Sequence, residues 1–189
     1  MQAFLASVGL VAAAEMGDKT QLPSLVLAAR LHRPYPIIAG IICATLLNHT
    51  LAGSLGLWLA QWVPHTVLYW IAAFSFIVFG IWALRADSLV KDPRVYPTGV
   101  FVTAFVAFFL AEMGDKTRLA TVALAARFDA LGEVVLGTTL GMLIADLPAV
   151  FFGEVLAKRI PTRPIRWLAA LLFVAMGIAT FLGRLAPSV

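Results

Sequence analysis

The hexapeptide Glu-Met-Gly-Asp-Lys-Thr occurs twice, at residues 15–20 and 112–117, each time inside an apolar stretch. Four carboxylates (Glu15, Asp18, Glu112, Asp115) face two ammonium groups (Lys19, Lys116), which leaves two negative charges if all converge. One divalent cation neutralises that remainder, and so do two protons. The arithmetic points to cation/proton exchange. The accompanying polar groups, Thr20, Gln21, Thr117, Asn48 and backbone carbonyls, are hard oxygen donors, and such sites suit calcium, magnesium and manganese. A zinc or copper site calls for Cys or several His, and the chain has one Cys and three His. His49 reads first as a packed residue and second as a ligand. Asp146 is harder to dismiss, because a carboxylate within the bilayer is expensive. Arg118 and Asp146, if both face inward, leave the charge balance unchanged.

The surroundings make the hexapeptide costly. The 189 residues are 61% hydrophobic and 13% charged, with a mean hydropathy of +0.94. Soluble domains are about a quarter charged, so the chain is expected to be an all-α integral membrane protein. A bilayer-spanning helix needs roughly 20 apolar residues. Six apolar segments are evident, at about 3–29, 36–60, 66–84, 98–126, 133–156 and 165–182. They leave no room for a soluble catalytic domain. The N-terminal stretch lacks a basic leader and reads as the start of the first helix, not as a cleaved signal. Cys43 reads as a small packing residue.

Glu15 falls about twelve residues into the first span and Glu112 about fourteen into the fourth, so at about 1.5 Å per residue both lie near the midplane. A charge there costs about 2.5 to 3.5 kcal/mol on insertion scales. On an unbroken helix the Glu, Asp and Lys of each copy share a face, and a self-neutralising Glu–Lys pair explains the Lys but not the Asp. Gly17, Gly114 and Pro23 permit a local break that exposes carbonyls. With Ala120 where the first copy has Pro23, the sharper break is expected in the first span.

The duplication extends beyond the motif. At a constant offset of 97, Leu27-Ala28-Ala29-Arg30 repeats as Leu124-Ala125-Ala126-Arg127, Gly40 matches Gly137, Pro64 matches Pro161, Trp70 matches Trp167, and Gly80 matches Gly177. His49 pairs with Asp146 at the same offset. The expected organisation is therefore a three-helix repeat at 1–84, a cytoplasmic linker at 85–97 and a second three-helix repeat at 98–189. An odd number of spans per repeat inverts the second relative to the first, an architecture used by secondary transporters. Nine Lys and Arg lie in the loops after spans one, three and five, against Arg127 and Arg184 on the other side. The positive-inside rule then puts both termini on the non-cytoplasmic face of the cell membrane. It also accounts for the net charge of +4 without nucleic acid. Trp58, Trp62, Trp70, Trp82 and Trp167 suit an interfacial belt. Gly53, Gly56, Gly137, Gly141 and Gly177 suit close helix packing.

Paired Glu-x-Gly-Asp-(Lys/Arg)-(Thr/Ser) motifs, each in the first helix of a three-helix repeat, resemble the family of the Golgi manganese/calcium transporters, whose bacterial members include manganese exporters of the MneA type. The resemblance covers essentially the whole chain. It implies export of manganese, or of calcium in some members, from the cytoplasm in exchange for protons. It also implies that Glu15, Asp18, Glu112 and Asp115 are the cation ligands, with Thr20, Thr117 and Gln21 in support. The family often carries Gln after the second motif's hydroxyl residue; here that residue is Arg118, which departs from a symmetric site.

The expected partners are a divalent cation, protons and the bilayer, with no cofactor and no enzymatic activity; a monomer suffices for one pathway, and a homodimer is the other expectation. The alternative transport reading is an exporter of small organic cations or amino acids, for which a four-carboxylate cage is wasteful. Gly17-Asp18 and Gly114-Asp115 are similar to the Gly-Asp of an intramembrane aspartyl protease. Each Asp, however, comes with a Glu and a Lys that disturb a dyad sharing one proton. A purely structural subunit leaves the buried charges without a cause.

Overall fold

The computed structural model describes residues 1–16, 21–84, 99–113, 115–157 and 162–185. Among them the chain is all helical, with eight α-helices and no strand: α1 (Gln2–Glu15), α2 (Gln21–Leu31), α3 (Pro34–Trp62), α4 (His65–Ala83), α5 (Val100–Glu112), α6 (Lys116–Phe128), α7 (Leu131–Ala157) and α8 (Thr162–Leu185). Eight helices occupy the six apolar segments because the first and fourth segments are each two helices, divided at the repeated motif. The linker at 85–97 lies outside the described residues. Three stretches are long and apolar enough to cross a membrane, Pro34–Trp62, Thr66–Ala83 and Leu131–Phe151. Gln2–Glu15, Val100–Glu112 and Trp167–Leu182 are shorter apolar helices.

The helix ends repeat at the offset of 97. α1 and α5 both stop at the motif glutamate, and the next residues, Met16 and Met113, turn to extended backbone at φ −60°, ψ 117° and φ −63°, ψ 110°. α2 and α6 both end on a left-handed residue, His32 at φ 51° and Asp129 at φ 50°. Their N–H groups close the last turn on Ala28 O and Ala125 O, the usual way a helix terminates its orphan carbonyls. Pro34 then opens α3 at its first turn, where the missing N–H carries no penalty.

Packing is reciprocal between the halves. α1 lies against α7 while α5 lies against α3, and α2 meets α7 while α6 meets α3; α3 touches α7 and α4 touches α8. Glycine makes the tightest of these contacts. A Cβ on Gly40 would stand 2.8 Å from Phe101 O and 2.7 Å from Ala104 Cβ, and one on Gly137 would stand 2.6 Å from Phe4 O and 2.8 Å from Ser7 Cβ. Phe4 and Phe101, like Ser7 and Ala104, are equivalent residues. Gly80 against Ala170 O and Gly177 against Ala73 O repeat the pattern between α4 and α8. Small residues that let backbones approach are the expected glue of helices in lipid, where apolar side chains gain little by leaving the solvent.

The polarity is that of a membrane protein. Ser7, Glu15, Ser24, Thr45, Asn48, His49, Thr103, Glu112, Asp115, Thr117 and Asp146 are buried. Leu47, Leu51, Leu55, Trp58 and Trp62 form an exposed stripe along α3, and Leu136, Leu140, Ile144 and Phe151 form its counterpart on α7. Exposed apolar stripes of that length mark contact with lipid. Trp82 packs partly against the core. Cys43, expected to be a packing residue, is exposed on α3, because its position on the helix turns it toward the lipid side and away from α5.

Candidate cation site at the helix break

The second motif is described on both sides of its glycine. Glu112 is the last residue of α5, and Asp115 is the N-cap of α6. The continuous helix that would align Glu112, Asp115 and Lys116 on one face is therefore absent, and the break near Gly114 puts a helix C-terminus and a helix N-terminus next to each other. Asp115 serves the N-terminus: its Oδ2 accepts from Thr117 N at 3.3 Å and from Thr117 Oγ1 at 3.0 Å. A carboxylate at an N-cap satisfies orphan donors and complements the positive end of the helix. Asn48 serves the other end, its amide donating to the carbonyl of Phe109 in the last turn of α5 at 3.2 Å.

Glu112 is 1% exposed. Thr45 Oγ1 donates to its Oε1 at 2.9 Å, and His49 Nε2 stands 3.9 Å from its Oε2. Thr45, Asn48 and His49 are spaced three and four apart and so share one face of α3; that face meets the end of α5. Arg118 and Asp115 lie within electrostatic range of both His49 and Glu112. Several buried atoms here have no hydrogen-bond partner among the described residues: Glu112 Oε2, Asn48 Oδ1 and both ring nitrogens of His49. Buried polar groups are almost always paired, and two oxygens and one lone-pair nitrogen of a neutral imidazole gathered without partners make a place suited to a positive charge.

In the other half, Glu15 ends α1 and is fully buried. Asp146 on α7 is fully buried as well, and Ser24 Oγ from α2 donates to its Oδ1 at 3.0 Å. Asp18, Lys19 and Thr20 lie outside the described residues, as do the side chains of Gln21 and Lys116. Among the described residues no three His, Cys, Asp or Glu side chains converge as a metal cage. The structure thus brings Glu112, His49 and Asn48 together, seats Asp115 and Thr117 at the adjoining cap, and ties Asp146 to α2. Thr45 and Ser24 were absent from the sequence-based set. The signal for Thr45 was available, since an i, i+3, i+4 polar face in an apolar helix is itself unusual.

The chain was then compared with known proteins. The family model described as "Divalent cation/proton antiporter GDT1" matches residues 3–90 and 100–188. A Vibrio cholerae protein named "Putative manganese exporter" is 46% identical over 95% of this chain and 90% of its own length. GDT1-like protein 5 of Arabidopsis thaliana is 29% identical over 96% of each chain. A GDT1-like protein of Synechocystis is 28% identical over 98% of this chain and all of its own. No solved structure matches. The apolar outer surface, the buried acids at a broken helix and the match along both halves have one common account: the chain belongs to the GDT1 family of divalent cation/proton antiporters.

Proposed function

We propose that the protein exports divalent cations from the cytoplasm in exchange for protons, manganese first and calcium second. The observation that carries this reading is the cluster of buried polar atoms without hydrogen-bond partners among the described residues at the break between α5 and α6, Glu112 Oε2, Asn48 Oδ1 and the His49 ring. The name of the Vibrio cholerae relative supports manganese. Glu15, Asp18, Glu112 and Asp115 are the proposed ligands, with Thr20, Gln21, Thr117 and the lysines of the motif in support.

The mechanism rests on two inverted repeats, 1–84 and 98–189, joined by the cytoplasmic linker at 85–97, with six spans and both termini outside. The reciprocal contacts of Gly40 and Gly137, and of Gly80 and Gly177, support that arrangement. In the inward-facing state the carboxylates of both motifs take the cation near the midplane. Rocking of one repeat against the other exposes the site to the outside, where protonation of the same carboxylates removes the charge that held the ion. Protons return by the reverse movement, so the exchange preserves the charge balance of the buried site.

The test is transport by the purified protein in vesicles. A pH gradient that is acid on the protein's outer face should drive manganese accumulation toward that face, and collapsing the gradient should stop it. Glu112→Gln keeps the shape and the Thr45 contact but removes the charge, and it should abolish uptake. Undiminished transport by that variant would remove Glu112 from the site.

A further inference from the structure

We propose that His49 is a direct nitrogen ligand of the transported cation and that it makes the site prefer manganese over calcium. The inference rests on the antiport reading above and deepens it by naming what sets selectivity. His49 is 0% exposed, and neither ring nitrogen has a hydrogen-bond partner among the described residues. A packed histidine in an apolar helix normally anchors one nitrogen on a carbonyl or hydroxyl. This ring instead points Nε2 at Glu112 Oε2, 3.9 Å away. Two ligand atoms on one ion stand apart by more than one metal–ligand bond and by at most two, or about 2.5 to 4.5 Å for bonds of about 2.0 to 2.3 Å. The observed separation falls within that window.

The duplication sharpens the point. At the equivalent place on α7 the chain carries Asp146, held by Ser24, and the equivalents of Thr45 and Asn48 are Met142 and Ala145. The two long helices thus present different chemistry to the two motifs. α3 offers hydroxyl, amide and imidazole groups to Glu112, while α7 carries one carboxylate, bonded to Ser24 of α2. Calcium and magnesium are hard ions that take oxygen, whereas imidazole suits later first-row metals. Manganese accepts both ligand types. A single nitrogen among oxygens therefore penalises calcium and magnesium while leaving manganese bound.

The experiment uses the full chain in detergent and in vesicles, with manganese and calcium as the probes. Bound manganese should show nitrogen coupling from the imidazole in its electron spin-echo spectrum, and His49→Asp and His49→Asn should both lose it. The ratio of manganese to calcium transport should fall about ten- to a hundredfold in both variants. Size-exclusion elution and thermal unfolding like those of the wild-type protein show that the variants fold, and loss of both ions' transport by folded variants overturns the selectivity role. Bound manganese without nitrogen coupling, coupling that persists in the variants, or an unchanged ratio overturns the role of His49 and leaves the antiport reading standing. A wild-type protein that binds calcium but no manganese overturns the role of His49 alone, and one that binds neither ion sinks both.

Discussion

Thr45 shows how much a single hydroxyl decides here. It donates to Glu112 Oε1 at 2.9 Å and so leaves Oε2 as the acceptor facing His49. Thr45→Val removes the donor and preserves the shape. Hydrogen bonds between helices in membranes average about 0.6 kcal/mol and reach about 1.7 kcal/mol, so the melting temperature in detergent should move little. Manganese affinity should weaken about tenfold, as for the loss of an outer partner of a ligand, and a titration of bound manganese measures it. Unaltered affinity would mean that Glu112 is oriented by something else. At this scale the sequence was informative where side-chain type alone decides. Buried carboxylates are rare enough to announce themselves, and Glu15, Glu112, Asp115 and Asp146 are all buried. It was uninformative where the partner comes from another helix. Thr45 meets Glu112 across 67 residues and Ser24 meets Asp146 across 122, and no local spacing reports such pairs. Asn48 was read for its oxygen, which has no partner among the described residues; that its amide nitrogen also braces the Phe109 carbonyl depends on where α5 ends and could not be read from spacing.

The broken helices are the element on which the site depends. A glycine in an apolar segment permits either a continuous helix or an interruption, so the motif alone left the two open. The break is decided by a local cap and a tertiary contact together: Asp115 and Thr117 cap the start of α6 while α3 covers the end of α5. What was legible was the duplication, and with it the glycines that bring the halves together. Gly40 and Gly137 each admit a carbonyl where a Cβ would clash. Replacing either with Ala pushes α5 off α3 or α1 off α7, and overpacking of that kind costs about 1 to 3 kcal/mol. Gly40→Ala should also move Glu112 relative to Thr45 and His49, so it should lower both melting temperature and manganese affinity. Gly137→Ala should lower stability by a similar amount through the equivalent contact with Phe4. Thermal unfolding of the detergent-solubilised variants measures both, and two unchanged melting temperatures would refute the close-packing account. Gly132, whose Cβ would meet nothing within 4 Å, provides the control: Gly132→Ala should leave stability unchanged.

For the whole molecule, the decisive question is whether the two structurally similar halves face opposite sides. Their local backbones agree closely, down to the left-handed caps at His32 and Asp129, and the contacts of α1 and α2 with α7 are matched by those of α5 and α6 with α3. In the arrangement we propose, three spans in each half invert the second repeat, and the asymmetry of Lys and Arg is expected to put the loop at His32 in the cytoplasm and the loop at Asp129 outside. These two exposed residues occupy the same place in their repeats, so they give a clean contrast. Cys43 is exposed on α3, so Cys43→Ser must first remove the background. In that chain His32→Cys should react with a membrane-impermeant maleimide only from the cytoplasmic face, in inverted vesicles, and Asp129→Cys only in intact cells. Each new residue carries the strain of a left-handed position, about 1 to 2 kcal/mol, which a helix end tolerates. Labelling of both from one face would show that the repeats are parallel. Two parallel motifs would enter the bilayer from the same side, and rocking would no longer exchange equivalent inward and outward states. Opposite labelling instead relates the two states by a pseudo-two-fold axis in the membrane plane. Any directionality must then come from what differs between the halves, with His49 set against Asp146 and Arg118 against Gln21.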